Sequence, residues 1–552
     1  MITEQLAELT RSALKGAIAD GAIQVEAPET IAFERPKRRE HGDWATNVAM
    51  ILAKEAGARP RDVAAAIVDR LPASEFVEVV EIAGPGFLNF RLSSVWLHDV
   101  VRRAADPSSG FGRAAQSSGL KTNVEYVSAN PTGPTSVVLG RHAAVGDAMA
   151  ALLEAVGHEV TREYYFNDAG RQVIQFALSV DARYRQSLGI DAAFPEDGYH
   201  GEYVTEIAAA LREEVGEDLL TLPDEERIER VRRFAVPLIM GSIQATLERF
   251  GTTFNVWFSE ARLHERGEVM AAIDKLREKG LIEELEGAIW FLSSRLGDDK
   301  DRVVVRSDGT PTYFAADLGY VLDKFARGFD DLIYLWGADH HGTIPRLMAA
   351  AEALGFERSR IRIPLVQTVR LVRGGEAVKG SKRAGVIIPL DELIDEVGAD
   401  AARYTFLTRS IDAPLTFDID QVTQQNAENP VYYVQYAHAR ICSILRKAEE
   451  QGVRFDPDAR LEQMTHPSEE SLMRKLATYE EIVPESASQL APQKITRYVE
   501  ELAGQFSSFY RDCRVVSDDR ELTLARIALC VATRNVIASG LGLVGVSAPE
   551  RM

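Results

Sequence analysis

Two carboxylates and one basic loop are the residues of this chain best suited to chemistry. Glu125 closes the apolar-alternating run "TNVE", and Asp317 stands four residues after Tyr313 in "PTYFAADLGY". A carboxylate in an otherwise apolar strand has to be paired or used, because burying an unpaired one is costly. On a helix, residues four apart share a face, so Tyr313 and Asp317 can look into one cleft. Two acids converging there suit a planar cation such as a guanidinium, which takes paired carboxylate contacts. The plainer role for Asp317 alone is a cap or ion pair on a surface helix. The loop "RGGEAVKGSKRAG" sets Lys379, Ser381, Lys382 and Arg383 among glycines, where they could neutralise charge developing on a transferring phosphate. Taken by itself it reads equally as a mobile basic surface loop.

Two further clusters are polar at what should be strand ends. "WGADHHG" brings together Asp339, His340 and His341. Neighbouring strand residues face opposite sides, so the two histidines could not both ligate one ion without a turn, and a loop touching nucleotide or substrate is expected in preference to a metal site. "ANPTGPTSVVLGRHAAVGD", Ala129 to Asp147, runs from a strand end through a Pro- and Gly-rich turn into a helix. A helix start of this kind presents free N–H groups and the positive end of the helix dipole to phosphate. Its centre, "TSVVL", nevertheless holds no charge, no histidine and no glycine.

The elements that position these residues follow from periodicity. Residues 1–110 read as a small α/β unit, ending in linker chemistry at "ADPSSGFGRAAQSSG". Residues 120–400 alternate strands with helices, as in "EVTREYYFN", "DRVVVRS", "DLIYLWG" and "IRIPLVQTVRLV", which implies a doubly wound parallel sheet. Within them, about 177–286 is mostly helical and reads as an insertion. Residues 401–552 are nearly all helical and form a bundle. The expected fold class is therefore α/β, flanked by a small α/β domain and a helical one. Such sheets bind ligands beyond the carboxyl ends of their strands, where the polar clusters fall.

Composition narrows the class of function. The chain has 552 residues, 63 Lys plus Arg against 83 Asp plus Glu, and a formal charge of −20. That argues against indiscriminate nucleic-acid binding, while leaving room for a specific RNA on local basic patches such as "RPKRRE" at Arg35–Glu40. The acidic amphipathic N-terminus fits neither a secretory signal nor a transit peptide, and no membrane association is expected; the cytoplasm is the expected compartment. Cys442, Cys513 and Cys530 match no zinc spacing and read as buried thiols.

In this order, "VEYVSANPTGP", "EYYFNDAGRQ", "RSDGTPTYFAADLGY", "WGADHHGTIPRL", "KRAGVIIPLDELIDEVGADAARY", "ENPVYYVQYAHAR" and "VSAPERM" resemble the bacterial-type arginyl-tRNA synthetases over essentially the whole chain. The resemblance implies a class I Rossmann domain that activates L-arginine with ATP, accompanied by Mg²⁺ without a dedicated protein metal site, and passes it to tRNA(Arg). It implies arginine contacts at Glu125, Ser128, Asn130, Tyr313, Asp317 and Asp339. ATP contacts are implied at Pro131, Thr132, Gly133, Ser136, Gly140, Arg141 and His340, with Lys379, Ser381, Lys382 and Arg383 as the mobile KMSKS element. The small N-terminal domain would touch the tRNA elbow through Arg35, Lys37, Arg38, Phe87 and Asn89. The C-terminal bundle would bind the anticodon region, with Tyr436 at its start. A monomer that needs tRNA present to activate its amino acid is implied.

Two slots depart from the pattern. Where the family carries a HIGH-type tetrapeptide, this chain reads Ser136, Val137, Val138, Leu139, and Gly380 stands in the methionine position of KMSKS. Either Thr135 or Ser136, Arg141, His142, the turn backbone and the basic loop share the phosphate contacts of a working ligase, or the chain is a catalytically impaired paralogue that retains tRNA or arginine binding.

Overall fold

The computed structural model describes residues 2–168, 170–378 and 388–552. Compactness divides the chain into two units. One comprises Met1–Phe111, Ser443–Glu480 and Gln505–Val536; the other comprises Gly112–Cys442, Glu481–Gly504 and Ile537–Met552.

The first unit holds an antiparallel sheet in the order Trp44–Thr46, Phe87–Leu92, Val77–Ala83. The amphipathic helix Ile2–Ala19 buries Leu6, Leu14 and Ala17. Asp43 is the polar pin of this unit: its carboxylate accepts the Leu92 N–H at 2.8 Å and pairs with Arg474. Gly42 precedes it at φ 100°, and a Cβ there would stand 2.7 Å from the Phe90 carbonyl oxygen, so the turn "HGDW" requires glycine.

The second unit is built on five parallel strands: β1 Lys121–Glu125, β2 Glu159–Phe166, β3 Val256–Ser259, β4 Asp331–Tyr334 and β5 Ile361–Arg362. Their order across the sheet is β5-β4-β1-β2-β3. The chain winds one way from β1 through β2 to β3, then the other way to β4 and β5, so the strand order reverses between β1 and β4. That switch point is where such a sheet opens a crevice. Glu125 and Tyr334 lie opposite one another there at the strand ends.

Four helices matter to the site: α1 Val137–Ala155, α2 Arg171–Ser187, α3 Asp224–Arg249 and α4 Tyr313–Ala326. The apolar helix α1 packs on the sheet with most of its side chains buried. Helix α4 contributes Phe314, Leu318 and Val321 to a core shared with Leu332, Leu347 and Ile361. Each large side chain buried in this way contributes about 1.5–3 kcal/mol.

Three expectations from periodicity need correction. Of "IRIPLVQTVRLV" only Ile361–Arg362 joins the parallel sheet, and Val369–Arg373 pairs with Leu415–Asp418 in a separate one. "DRVVVRS" is a strand, but it lies in a separate antiparallel meander with Ile282–Leu285 and Ala288–Phe291. The turn at Glu286–Gly287, both at positive φ, closes a hairpin that draws it there rather than into the parallel sheet. The helical insertion also ends earlier than residue 286. Its own core, from Phe176 to Ile239, belongs to α2, α3 and the helix Glu202–Val215 between them, whereas β3 is an edge strand of the main sheet. A strand of four residues between helices carries too little alternation to be read from sequence.

Cys442, Cys513 and Cys530 are all buried and outside any disulfide, and burial pushes Cys530 up to about 12. Among the described residues, the helix Arg520–Leu543 is long and apolar enough to cross a membrane, but 67% of its apolar window is buried inside the protein, as in an ordinary core helix.

Candidate active site

The switch point gathers acids. Glu125 ends β1 only 5% exposed, and its two oxygens are engaged: Lys324 Nζ donates at 2.6 Å and Ser128 Oγ at 3.1 Å. Lys324 is wholly buried, with its ammonium over the rings of Tyr320 and Tyr334. Glu125 is thus paired within the protein. Val127 and Ser128 take positive φ, 67° and 43°, an uncommon conformation for a β-branched residue and for serine. The Ser128 hydroxyl that bonds Glu125 also accepts the Tyr165 N–H at 3.1 Å, which holds this bend against β2.

Asp317 lies one turn into α4, half-buried, and has no hydrogen bond or ion pair among the described residues. Burial pushes its carboxyl up to about 7; Glu260 and Glu125 add to the rise and Arg346 opposes it. Glu260 is the second acid. It is 7% exposed, takes a hydrogen bond from the Tyr165 hydroxyl, and is raised above the usual carboxylate range, mainly by burial. Tyr165 in turn packs on Tyr320, ring centroids 4.7 Å apart. A half-buried carboxyl with no hydrogen-bond or ion-pair partner among the described residues, beside a second buried acid and with the third already paired, is suited to receive a cation.

Further polar groups expected at the site make contacts of their own. Asn130 Nδ2 donates to Gln172 Oε1 at 2.6 Å, and the Asn130 Oδ1 accepts the Asn167 N–H at 3.4 Å. Tyr313, 58% exposed at the start of α4, offers its hydroxyl oxygen to the Arg171 N–H at 3.5 Å. Asp339 and His340 lie on an exposed turn, with Nε2 and Oδ2 3.8 Å apart.

The start of α1 is less open to an anion than its sequence suggests. Ser136 is the N-cap and accepts the Leu139 N–H at 3.4 Å, while the Val137 N–H donates to the Ile388 carbonyl at 3.1 Å. The Leu390 N–H bonds the Thr135 carbonyl at 2.8 Å, so the segment returning from the basic loop is fastened to this turn. Val138 alone of the first three helical N–H groups has no partner among the described residues, and its side chain is 45% exposed. Upstream, the Thr132 carbonyl accepts the Tyr203 hydroxyl at 2.7 Å; Gly133 lies beneath the same hydroxyl, with Pro131 buried before it. The Thr135 hydroxyl and the His142 Nδ1 are buried without partners, and burial lowers His142 to about 4, so its ring is neutral.

Two of the expected nucleotide contacts are corrected here. The Arg141 guanidinium is fully buried and donates to the carbonyls of Gln367, Ser410 and Ala413 at 2.8–3.1 Å. It ties α1 to neighbouring chain segments instead of facing a phosphate. Gly140 is a packing glycine: a Cβ there would stand 2.6 Å from Leu390. Lys379, Ser381, Lys382 and Arg383 lie outside the described residues.

In the first unit, Arg35 stacks over Trp44 at 4.5 Å, Arg38 faces Glu40 at 3.3 Å, and Lys37 is exposed. Phe87 is half-buried, whereas Asn89, also expected to touch RNA, is only 7% exposed in the middle strand. Burial corrects that expectation and leaves the basic run and Phe87 as the accessible groups. In the second unit, Tyr436 is 40% exposed, stacks on Tyr432 with planes 9° apart, and takes a hydrogen bond from Arg440 at 2.6 Å. A cavity of about 500 Å³ beside this pair is lined by Gln424, Asn429, Tyr432 and Gln435, and the buried Asn429 Oδ1 has no partner.

Glu260, Lys324, Tyr165, Gln172 and Asp168 were not legible as site residues. Lys324 carried a usable signal, lying seven residues after Asp317 and hence on the same helix face. Glu260 carried little, since it falls in a stretch that reads as inserted helix.

Comparison with known proteins agrees along the chain. A family model described as "tRNA synthetases class I (R), catalytic domain" matches residues 111–441, "Arginyl tRNA synthetase N terminal domain" matches 4–92, and "DALR anticodon binding domain" matches 434–552. The arginine–tRNA ligase of Carboxydothermus hydrogenoformans is 46% identical over 547 residues, covering 99% of this chain and 98% of the relative. That of Frankia alni is 46% identical over 559 residues and covers 100% of both. The solved Thermus thermophilus arginyl-tRNA synthetase superposes with a TM-score of 0.76 at 23% identity, over 100% of each chain, which speaks for the fold.

Proposed function

The chain belongs to the arginyl-tRNA synthetase family and joins arginine to tRNA using ATP; we propose that Asp317 and Glu260 hold the guanidinium that defines its amino acid. The observation that carries this assignment is the half-buried, unpartnered carboxyl of Asp317 beside buried Glu260. A guanidinium supplies the missing charge and five donors in a plane. Glu125 supports the site through Ser128 and Lys324, and Tyr313, Asn130 and Asp339 complete the arginine contacts from the rim.

Arginine's carboxylate attacks the α-phosphorus of ATP, and pyrophosphate leaves. A hydroxyl of the terminal ribose of tRNA(Arg) then attacks the adenylate carbonyl, and AMP leaves. Neither step needs a covalent bond to the protein, so the side chains orient reactants and balance charge. Ser136, Thr132, Gly133, Pro131, His340 and the Val138 N–H bear on the nucleotide, Mg²⁺ enters with ATP as part of the substrate, and Lys379, Ser381, Lys382 and Arg383 steady the triphosphate. The basic run Arg35–Arg38 and Phe87 meet the tRNA elbow, and Tyr436 with its neighbouring cavity meets the anticodon region. The protein acts as a monomer in the cytoplasm, as the resemblance implies.

The direct test is charging of total tRNA with labelled arginine, with tRNA present throughout. Charging with arginine and not with uncharged citrulline is expected; equal use of both would remove the guanidinium site. The pH dependence has a definite sign. The guanidinium stays protonated, whereas Asp317, at about 7 in the free enzyme, is an anion above that pH and a neutral acid below it. Glu125 is paired with Lys324, Glu260 is bonded to Tyr165, and Arg346 favours the anion. Lowering the pH from 8 to 6 is therefore expected to reduce kcat/KM for arginine about tenfold, the change set by one group titrating at the midpoint. A flat profile would show that Asp317 does not face the substrate.

A further inference from the structure

We propose that Asp168 is a positioning residue for arginine recognition: it fixes the turn from Ser259 to Ala261 and thereby aims Glu260. The proposal rests on Glu260 being a guanidinium ligand. Asp168 follows β2 in "FNDAGRQ". Its Oδ2 accepts the Ser259 hydroxyl at 2.7 Å and its Oδ1 accepts the Ala261 N–H at 3.1 Å. These donors are the residues on either side of Glu260, so one carboxylate grips the chain at both flanks of the pocket acid. The grip falls at the junction where β3 ends at Ser259 and the helix Glu260–Glu265 begins. The Ala261 N–H is one of the initial helical N–H groups that has no acceptor within its own helix, and Asp168 supplies one.

Asp168 is itself held from the helical insertion. Arg232 of α3 donates to the Asp168 carbonyl at 3.0 Å, and Glu229 holds Arg232 through two hydrogen bonds of 2.7 and 2.9 Å. A chain of fixed contacts thus runs from α3 through the loop after β2 to the turn that carries Glu260. Tyr165 restrains the far end of Glu260, so the carboxylate is set at its tip by one residue and at its root by another. The geometry has to be tight, because a displacement of about 1 Å at a binding carboxylate can cost on the order of 100-fold in rate.

The test compares kcat and the KM values for arginine and for ATP, with tRNA present, in Asp168→Ala, Asp168→Asn, Ser259→Ala and Glu260→Gln enzymes. Asp168→Ala is expected to raise the arginine KM about tenfold while the ATP KM stays within about twofold, because only the amino-acid site is disturbed. Asp168→Asn keeps one acceptor and should recover part of the loss, and Ser259→Ala should cost about threefold, less than Asp168→Ala because the Ala261 N–H contact to the carboxylate remains. The Asp168→Ala/Ser259→Ala double variant should be no worse than Asp168→Ala alone, since both remove the same contact. Additive losses, or parallel rises in the two KM values, would overturn the proposal by showing a merely structural role. Should Asp168→Ala fail to fold, Asp168→Asn and Ser259→Ala carry the same comparison. If Glu260→Gln raises the arginine KM and the Asp168 and Ser259 variants do not, positioning alone fails. If Glu260→Gln leaves it unchanged, the guanidinium reading of Glu260 fails and the proposal falls with it.

Discussion

Replacing Asp317 by asparagine is expected to lower kcat/KM for arginine about a thousandfold while making the free protein more stable. The first effect follows from removing one partner of a desolvated charge pair, which costs about 2–5 kcal/mol. The amide keeps the shape of the carboxyl but presents an NH₂ to a guanidinium that has only donors. The second effect has the opposite sign because Asp317 has no partner among the described residues in the free enzyme. Its folded-state pKa, about 7, is raised above the usual 3.8, so ionising it in the folded state costs stability. That cost is absent below the unfolded value, grows between the two, and is complete above about 7. Thermal unfolding of the Asp317→Asn protein should therefore match the parent near pH 4 and exceed it at pH 8. Loss of activity with a gain in Tm would mark Asp317 as a group kept for binding. A loss of both would mean that Asp317 holds the fold together.

Asp317 was legible in the sequence because the helical period placed it on one face with Tyr313, and the structure puts both on α4. Its companion acid was not. Glu260 follows a four-residue strand that pattern cannot distinguish from the helices around it, and only the pairing of β3 with β2 brings it to the crevice. Glu125 shows a different limit. The sequence marked it as a carboxylate needing a partner, but that partner, Lys324, lies 199 residues away and meets it only through the fold. Arg141 shows the converse: a cation beside a phosphate-type turn looks like a ligand until its guanidinium is found buried among carbonyls. The parallel sheet was legible because its strands are apolar runs separated by helices, whereas the meander strand Arg302–Val305 has the same local pattern and differs only in the turn that precedes its partner. Local pattern thus identifies elements, and the partner of an element or of a charge emerges only at the level of pairing.

Restoring the family's tetrapeptide, with Ser136→His, Val138→Gly and Leu139→His together, is expected to raise kcat about tenfold or more and to lower thermal stability. The helix start offers little to a triphosphate as it stands: the Val137 and Leu139 N–H groups are already bonded within the protein, and Arg141 is turned inward. A preorganised donor at a developing charge is typically worth ~10²–10³-fold in rate, so two imidazoles at the two ends of this turn should increase activity even where backbone and basic loop already share the load. Removing the Val138 side chain, 45% exposed at the second helical position, also clears the surface against which a base would lie. Two local terms oppose this in the folding balance. Losing the Ser136 cap costs about 1 kcal/mol, and a glycine near the helix start costs up to about 1 kcal/mol more. Steady-state charging and thermal unfolding of the same protein separate the two effects. Faster charging with a lower Tm would mean that the present turn favours helix stability over phosphate contact. Slower charging would mean that the Ser136 cap, the fastened Ile388–Leu390 segment and the Val138 N–H already form the phosphate site, and that side chains introduced there displace it.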